Sequence, residues 1–148
     1  MNEGSTGDRA ATPWHLWAVG IVSLLWNAVG VTDYSMTMMH NATWLAAASP
    51  EQRAYFDAFP LVMLGFWALG VWGAFVGSLL LLVRTRHAVT AFAASLVGLA
   101  ATTFYQFAIA VPPNGRTMAM IGFNLFIWAV ALALFFYARA MRTRGVLR

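Results

Sequence analysis

Four polar side chains lie within or at the rim of long apolar stretches, and they are the residues best placed for chemistry. They are Asn27, Asp33, Gln106 and Asn124. Polar groups in such stretches are costly and usually face protein or water. Amides donate and accept hydrogen bonds and aromatic rings cover C–H faces, so the two together suit an uncharged polyhydroxylated ligand. The candidate ligand-binding residues are these four and the nearby aromatic side chains: Asn27, Asp33, Tyr34, Trp67, Trp72, Tyr105, Gln106 and Asn124.

The amides are expected to lie at similar depths. At a rise of 1.5 Å per helical residue, Asn27 lies about 10 Å below Tyr34, and Gln106 about 8 Å below Val111. By the same measure Asn124 lies at a comparable distance from the start of its stretch, so the amides can converge in a polar cluster open toward the outside. Two interpretations are open. The cluster either provides interhelical hydrogen bonds, at about 0.5–2 kcal/mol each, or forms a ligand site.

Other kinds of chemistry find less support. The chain has 0 cysteines, which excludes disulfides, thiol catalysis and cysteine metal sites. His15, His40 and His87 fall at helix ends and offer no axial pair for haem. A soft-ligand group for Cu(I) is conceivable at Met36, Met38, Met39 and His40, although methionine also fills gaps in helix bundles. With no nucleophile–base pair at a consistent depth, we predict a non-enzyme without cofactor or metal.

Four apolar stretches must position these side chains. They cover residues 14–39, 60–83, 88–111 and 117–138, and each exceeds the roughly 20 residues that cross a bilayer. The 148-residue chain is 61% hydrophobic and 9% charged, whereas soluble domains carry about 25% charged residues. We therefore predict an all-α, antiparallel four-helix membrane bundle over 13–140, between a disordered tail at 1–12 and a basic tail at 141–148.

The arginines predict the orientation of the bundle. They concentrate in the connection between the second and third stretches and after the fourth, at Arg84, Arg86, Arg139, Arg142 and Arg144. The positive-inside rule then places both termini in the cytoplasm, with these side chains at lipid headgroups. The net charge of +4 is then explained by contact with the lipid bilayer. The predicted partner is the bilayer and not nucleic acid.

The first outer connection carries a helix-start pattern. Ser49 can cap a helix, Pro50 suits its first position, and Gln52 can complete a capping box. Apolar residues follow up to Phe59, which predicts a short amphipathic helix on the membrane surface.

Small residues recur at helical spacing and predict the packing faces, because close approach replaces the hydrophobic effect between helices in lipid. The predicted packing glycines are Gly30, Gly70, Gly73, Gly77 and Gly98. The GxxxG pair Gly73 and Gly77 leaves two possibilities, which are packing within the bundle and formation of a homodimer.

The segment 24–37, with Trp26, Asn27, Gly30, Asp33 and Tyr34, resembles a family of small proteobacterial four-span proteins commonly labelled "sugar transporter" or uncharacterised membrane protein. Segments 70–82 and 137–147 also resemble that family. The resemblance implies a bacterial inner-membrane location and transport or binding of a small neutral solute. The alternative is a non-catalytic accessory or scaffold subunit of a larger membrane complex.

Overall fold

The computed structural model describes residues 12–148, so most of the predicted disordered tail lies outside the described residues. Within the described part, all regular structure is helical, as predicted. The helices are α1 (Trp14–Met38), α2 (Ala42–Leu45), α3 (Pro50–Asp57), α4 (Leu61–Leu82), α5 (His87–Phe104) and α6 (Met118–Thr143). A π-helical segment, Tyr105–Ile109, extends α5.

Four helices are long and apolar enough to cross a membrane, namely α1, α4, α6 and α5 with its π-helical segment. Spans that follow one another along the chain run antiparallel. The terminal end of the bundle contains the start of α1 and the last turn of α6. The loop end is the opposite one and contains α2 and α3. The prediction of an all-α four-helix membrane bundle is confirmed. The fourth span differs in length, because α6 continues beyond residue 138 to Thr143.

α4 is the central helix, and glycines set its distance from α5. Gly70 faces the backbone of Gly98, and a Cβ atom at Gly73 would lie 3.1 Å from the nitrogen of Ser95. Gly77 faces the ring of Phe92. The GxxxG face therefore packs against α5 inside this chain. On its other side α4 meets α1, where Gly30 lies against Val71.

α6 is the least buried of the four spans. Trp128 on α6 donates from Nε1 to Thr103 Oγ1 on α5, at 3.2 Å. Toward α1, Trp26 and Phe126 form an edge-to-face pair with ring centroids 5.4 Å apart. Because few close backbone approaches link α1 and α6, space remains between them.

The short helix at the loop end begins as predicted. The Ser49 hydroxyl accepts from the Gln52 backbone at 3.2 Å, and Gln52 Oε1 accepts from the Ser49 backbone at 2.9 Å. Tyr55 on this helix donates to the carbonyl of Ala110 at 2.8 Å. This bond ties α3 to the end of the third span.

The last residues, for which the sequence predicts a basic tail at 141–148, are folded against the bundle. The turn after α6 has Gly145 at φ 71°, and the Val146 nitrogen donates to the Met141 carbonyl at 3.0 Å. This is the pattern of a Schellman motif, which reverses the chain after a helix. Val146 and Leu147 are then buried in the core at the terminal end. Both side chains are apolar and are therefore buried. The charge of the neighbouring arginines alone does not predict this burial.

Candidate functional site

The interior of the bundle holds a cavity of about 480 Å³ that all four spans line. Its polar lining comprises side chains from α1, α5 and α6: Asn27, Asp33, Ser95, Thr102, Thr103, Gln106 and Asn124. Most of the remaining lining is apolar or aromatic, with Trp26, Trp44 and Trp67 among the walls. A concave, largely apolar space with a few polar groups is the usual form of a small-molecule site.

The structure brings together five of the eight residues singled out by the sequence. These lining residues are Asn27, Asp33, Trp67, Gln106 and Asn124. The other three lie elsewhere. Tyr34 packs edge-on against Trp67 from outside the lining, and Tyr105 packs against Phe59.

Trp72 is the third, and its side chain is exposed on the surface of α4 beside Phe75. A stacking wall for a ligand at Trp72 therefore does not form. The reason is helical phase, because Trp72 follows Val71 by one position and points away from the cavity that Val71 lines.

Asn27 is held in a contact between α1 and α4. Its Nδ2 group donates to Ser78 Oγ at 2.9 Å and to the Ala74 carbonyl at 3.2 Å. Ser78 is fully buried. Because both amide protons are used within the protein, Asn27 can offer a ligand only its carbonyl oxygen. For Asn27, the structure therefore favours the interpretation that the polar cluster provides hydrogen bonds between helices.

Gln106 and Asn124 are different. Both line the cavity, and neither side chain makes a hydrogen bond to another residue in the described chain. Gln106 lies in the π-helical segment, which the Ala110 nitrogen closes onto the Tyr105 carbonyl at 2.9 Å. Such insertions in α-helices occur frequently at functional sites. Two free amides on facing helices can donate to and accept from the same ligand.

The rim of the cavity at the loop end carries a carboxylate. Asp33 is exposed and accepts from Trp44 Nε1 at 3.1 Å. Asn41 in turn accepts from the Trp44 backbone at 3.0 Å and so begins α2. The Trp44 ring, which lines the cavity, is therefore held against the Asp33 carboxylate at the loop end.

Sequence reasoning missed several lining residues. Ser95 and Thr102 line the cavity, but their hydroxyls donate to backbone carbonyls of Gly70 and Gly98 at 2.6 and 2.9 Å. Trp26 and Trp44 were missed as walls. The helical spacing of Trp26 and Gly30 could have indicated a shared face, whereas the position of Trp44 depends on the α2 turn.

A tyrosine on α3, at the loop end, makes a hydrogen bond that depends on pH. Burial, and next the neighbouring Tyr105, raise the pKa of Tyr55 to about 12. The neutral hydroxyl is the form that donates to Ala110. Because the pKa in the folded state lies above the ordinary value of 10.0, the contribution of Tyr55 to stability is complete below pH 10 and is lost as the pH rises toward 12.

We therefore expect an alkaline titration followed by tyrosinate absorbance to show one group that ionises near pH 12. Tyr55→Phe should remove that group from the titration. A Tyr55→Phe variant that retains the same highest-pH step would contradict the assignment.

The fold and cavity define a multi-pass, all-α membrane protein with a chamber between its spans. Comparisons with protein-family models, with curated proteins and with solved structures found no match to this chain. The resemblance of segment 24–37 to the proteobacterial four-span family stays a prediction.

Proposed function

We propose that this protein binds a small uncharged polyhydroxylated ligand in the cavity, as a solute-binding or transport protein of a bacterial inner membrane. The observation that carries the proposal is the pair of free amides, Gln106 and Asn124, in a chamber with aromatic walls. A polyhydroxylated ring matches this lining, because its hydroxyls pair with amides and its C–H faces cover aromatic rings.

The closed terminal end supports binding from the loop end. Below the cavity, a cluster from all four spans fills the bundle, and it includes Leu16, Leu81 and Met141, each at most 2% exposed. A polar solute would have to displace this cluster to cross the bundle. In the proposed orientation the arginine-rich terminal end faces the cytoplasm, so this conformation takes up ligand from the outer side.

Loss of the free amides should weaken ligand binding without loss of the fold. A panel of neutral mono- and disaccharides, tested by saturation-transfer NMR on protein in nanodiscs, identifies a binder. We expect Gln106→Leu and Asn124→Leu each to weaken its affinity by up to about tenfold, since each removes one hydrogen bond worth at most about 1.4 kcal/mol. Thermal unfolding should change little, because neither side chain bonds to the described protein.

Asn27→Leu is the matched contrast. It removes the bonds to Ala74 and Ser78, so it should lower stability by about 1–2 kcal/mol and change affinity less than Asn124→Leu. Asn124→Gln keeps an amide and should restore part of the affinity. Unchanged affinity in both leucine variants at Gln106 and Asn124 would show that the site is elsewhere.

Native mass spectrometry of gently extracted protein tests the accessory-subunit alternative. The lightly packed α6 is the observation in its favour, since its apolar outer face could meet another subunit. A small non-lipid adduct on a monomer supports the proposal, whereas a stoichiometric foreign chain and no adduct supports the accessory role.

A further inference from the structure

Two residues that line the cavity are also exposed on the surface of the bundle. Val29 on α1 and Phe123 on α6 are 61% and 54% exposed, which points to a lateral opening between these two helices. In this antiparallel pair they lie one turn toward the loop end from the contact between Trp26 and Phe126. Val29 and Phe123 lie within two of the spans, so the surface at this opening faces hydrocarbon and not water.

The polarity of the cavity changes along its length. On α5 the lining extends from Gln106 to Phe92, a distance of about 21 Å at 1.5 Å per residue. The free amides Gln106 and Asn124 lie at the half nearer the loop end. Deeper in the chamber, α6 contributes Val130, Ala131 and Leu134.

A free sugar fits only part of this chamber. It would satisfy the amides but leave the deeper half largely unfilled, where the α6 lining is apolar and the Ser95 hydroxyl is already bonded to the Gly70 carbonyl. An amphiphile with one chain fits both halves, and it can enter from the bilayer through the opening at Val29 and Phe123. The carboxylate of Asp33 at the rim disfavours an anionic head.

We propose that the ligand is an amphiphile with a neutral polyhydroxylated head and a single apolar chain, and that it enters laterally between α1 and α6. The inference rests on the proposed function, since it uses Gln106 and Asn124 as the head site. The chain lies along Val130 and Ala131 toward Leu134.

Chain length provides the first test. Binding of glucose, butyl glucoside and octyl glucoside is measured with protein in phosphatidylcholine nanodiscs, relative to the free aqueous concentration, with empty nanodiscs as the background. Each buried CH₂ should tighten Kd by about fourfold, so octyl glucoside should bind about 200-fold more tightly than butyl glucoside. Ala131→Phe fills the apolar half and should remove this difference, whereas Ala133→Phe, on the exposed surface of α6, should not.

The route provides the second test. The chain has 0 cysteines, so Val29→Cys can be modified alone with a bulky maleimide. This modification should slow association of octyl glucoside at least tenfold. Val22→Cys is the matched control, since Val22 lies two turns away on the same face of α1, is 67% exposed and does not line the cavity.

The outcomes separate this inference from the proposed function. Glucose and octyl glucoside binding equally well, both weakened by Asn124→Leu, would overturn the amphiphile and leave the proposed function standing. If glucose, the two glucosides and all sugars of the panel fail to bind, both the amphiphile inference and the proposed function are overturned. Tight octyl glucoside binding that neither Ala131→Phe nor modification at Val29 changes would place the chain and its route outside this cavity, and would overturn the inference.

Discussion

Gly98→Ala is expected to force α4 and α5 apart and to cause a large loss of stability. A Cβ atom at Gly98 would lie 2.5 Å from the carbonyl oxygen of Phe66 and 2.9 Å from Cα of Gly70. These are backbone atoms of α4, so no rotamer change can move them away. Overpacking in a core typically costs about 1–3 kcal/mol, and we expect at least about 3 kcal/mol here because a whole helix must shift.

Denaturation by SDS of the protein in mild-detergent micelles, followed by circular dichroism, measures this effect. Gly122→Ala is the matched control, since a Cβ atom there meets nothing within 4 Å. Alanine favours a helix by up to about 1 kcal/mol over glycine, so the control should be neutral or slightly stabilising. Equal unfolding midpoints for the two variants would contradict the close approach of α4 and α5.

The bundle itself follows from the sequence because its signals are local. Length and apolarity predict the spans, and the capping box predicts the start of α3 at Pro50. The small-residue rows place Gly70 and Gly98 in a helix contact. Which helix receives each face is not a local property. The sequence allows two roles for the GxxxG pair, and in the structure α5 lies against Gly73 and Gly77.

The site was predictable only in part for the same reason. Depth along each helix groups Asn27, Gln106 and Asn124, and all three line one cavity in the structure. The sequence does not give the rotation of a helix about its axis, so it allows Trp72 as a stacking wall although its side chain faces outward. Nor does it show which amide is already paired, and this depends on Ser78 and the carbonyl of Ala74 in another helix.

The last residues were the least predictable part, because composition describes them as basic while their packing depends on two apolar side chains. Val146 and Leu147 are 5% and 4% exposed in a cluster with Leu16 and Leu81. The backbone of Arg148 is also paired with the connection between α4 and α5. Its carbonyl accepts from Arg86 at 2.7 Å, and its nitrogen donates to Arg84 at 2.8 Å.

Leu147→Ala is therefore expected to destabilise the protein by about 2–4 kcal/mol. The side chain leaves a gap in a cluster that joins α1, α4, α5 and α6, and truncation of a buried leucine costs about 2–5 kcal/mol. Thermal unfolding in micelles measures the loss. Arg148→Ala is the control, because it removes a neighbouring exposed side chain and keeps both backbone hydrogen bonds.

The same variant tests whether the end of the chain closes the chamber. If Leu147 helps to seal the terminal end, Leu147→Ala should increase alkylation of a cysteine placed beneath it, at Ala88→Cys, by a membrane-impermeant maleimide. Ala88 is fully buried in the same cluster, so the single cysteine should react slowly in the parent background. The contradicting outcome is a Leu147→Ala variant that is as stable as Arg148→Ala and shows unchanged alkylation. Residues 146–148 would then be a free tail, as their charge alone predicts, and the four spans would close this end without them.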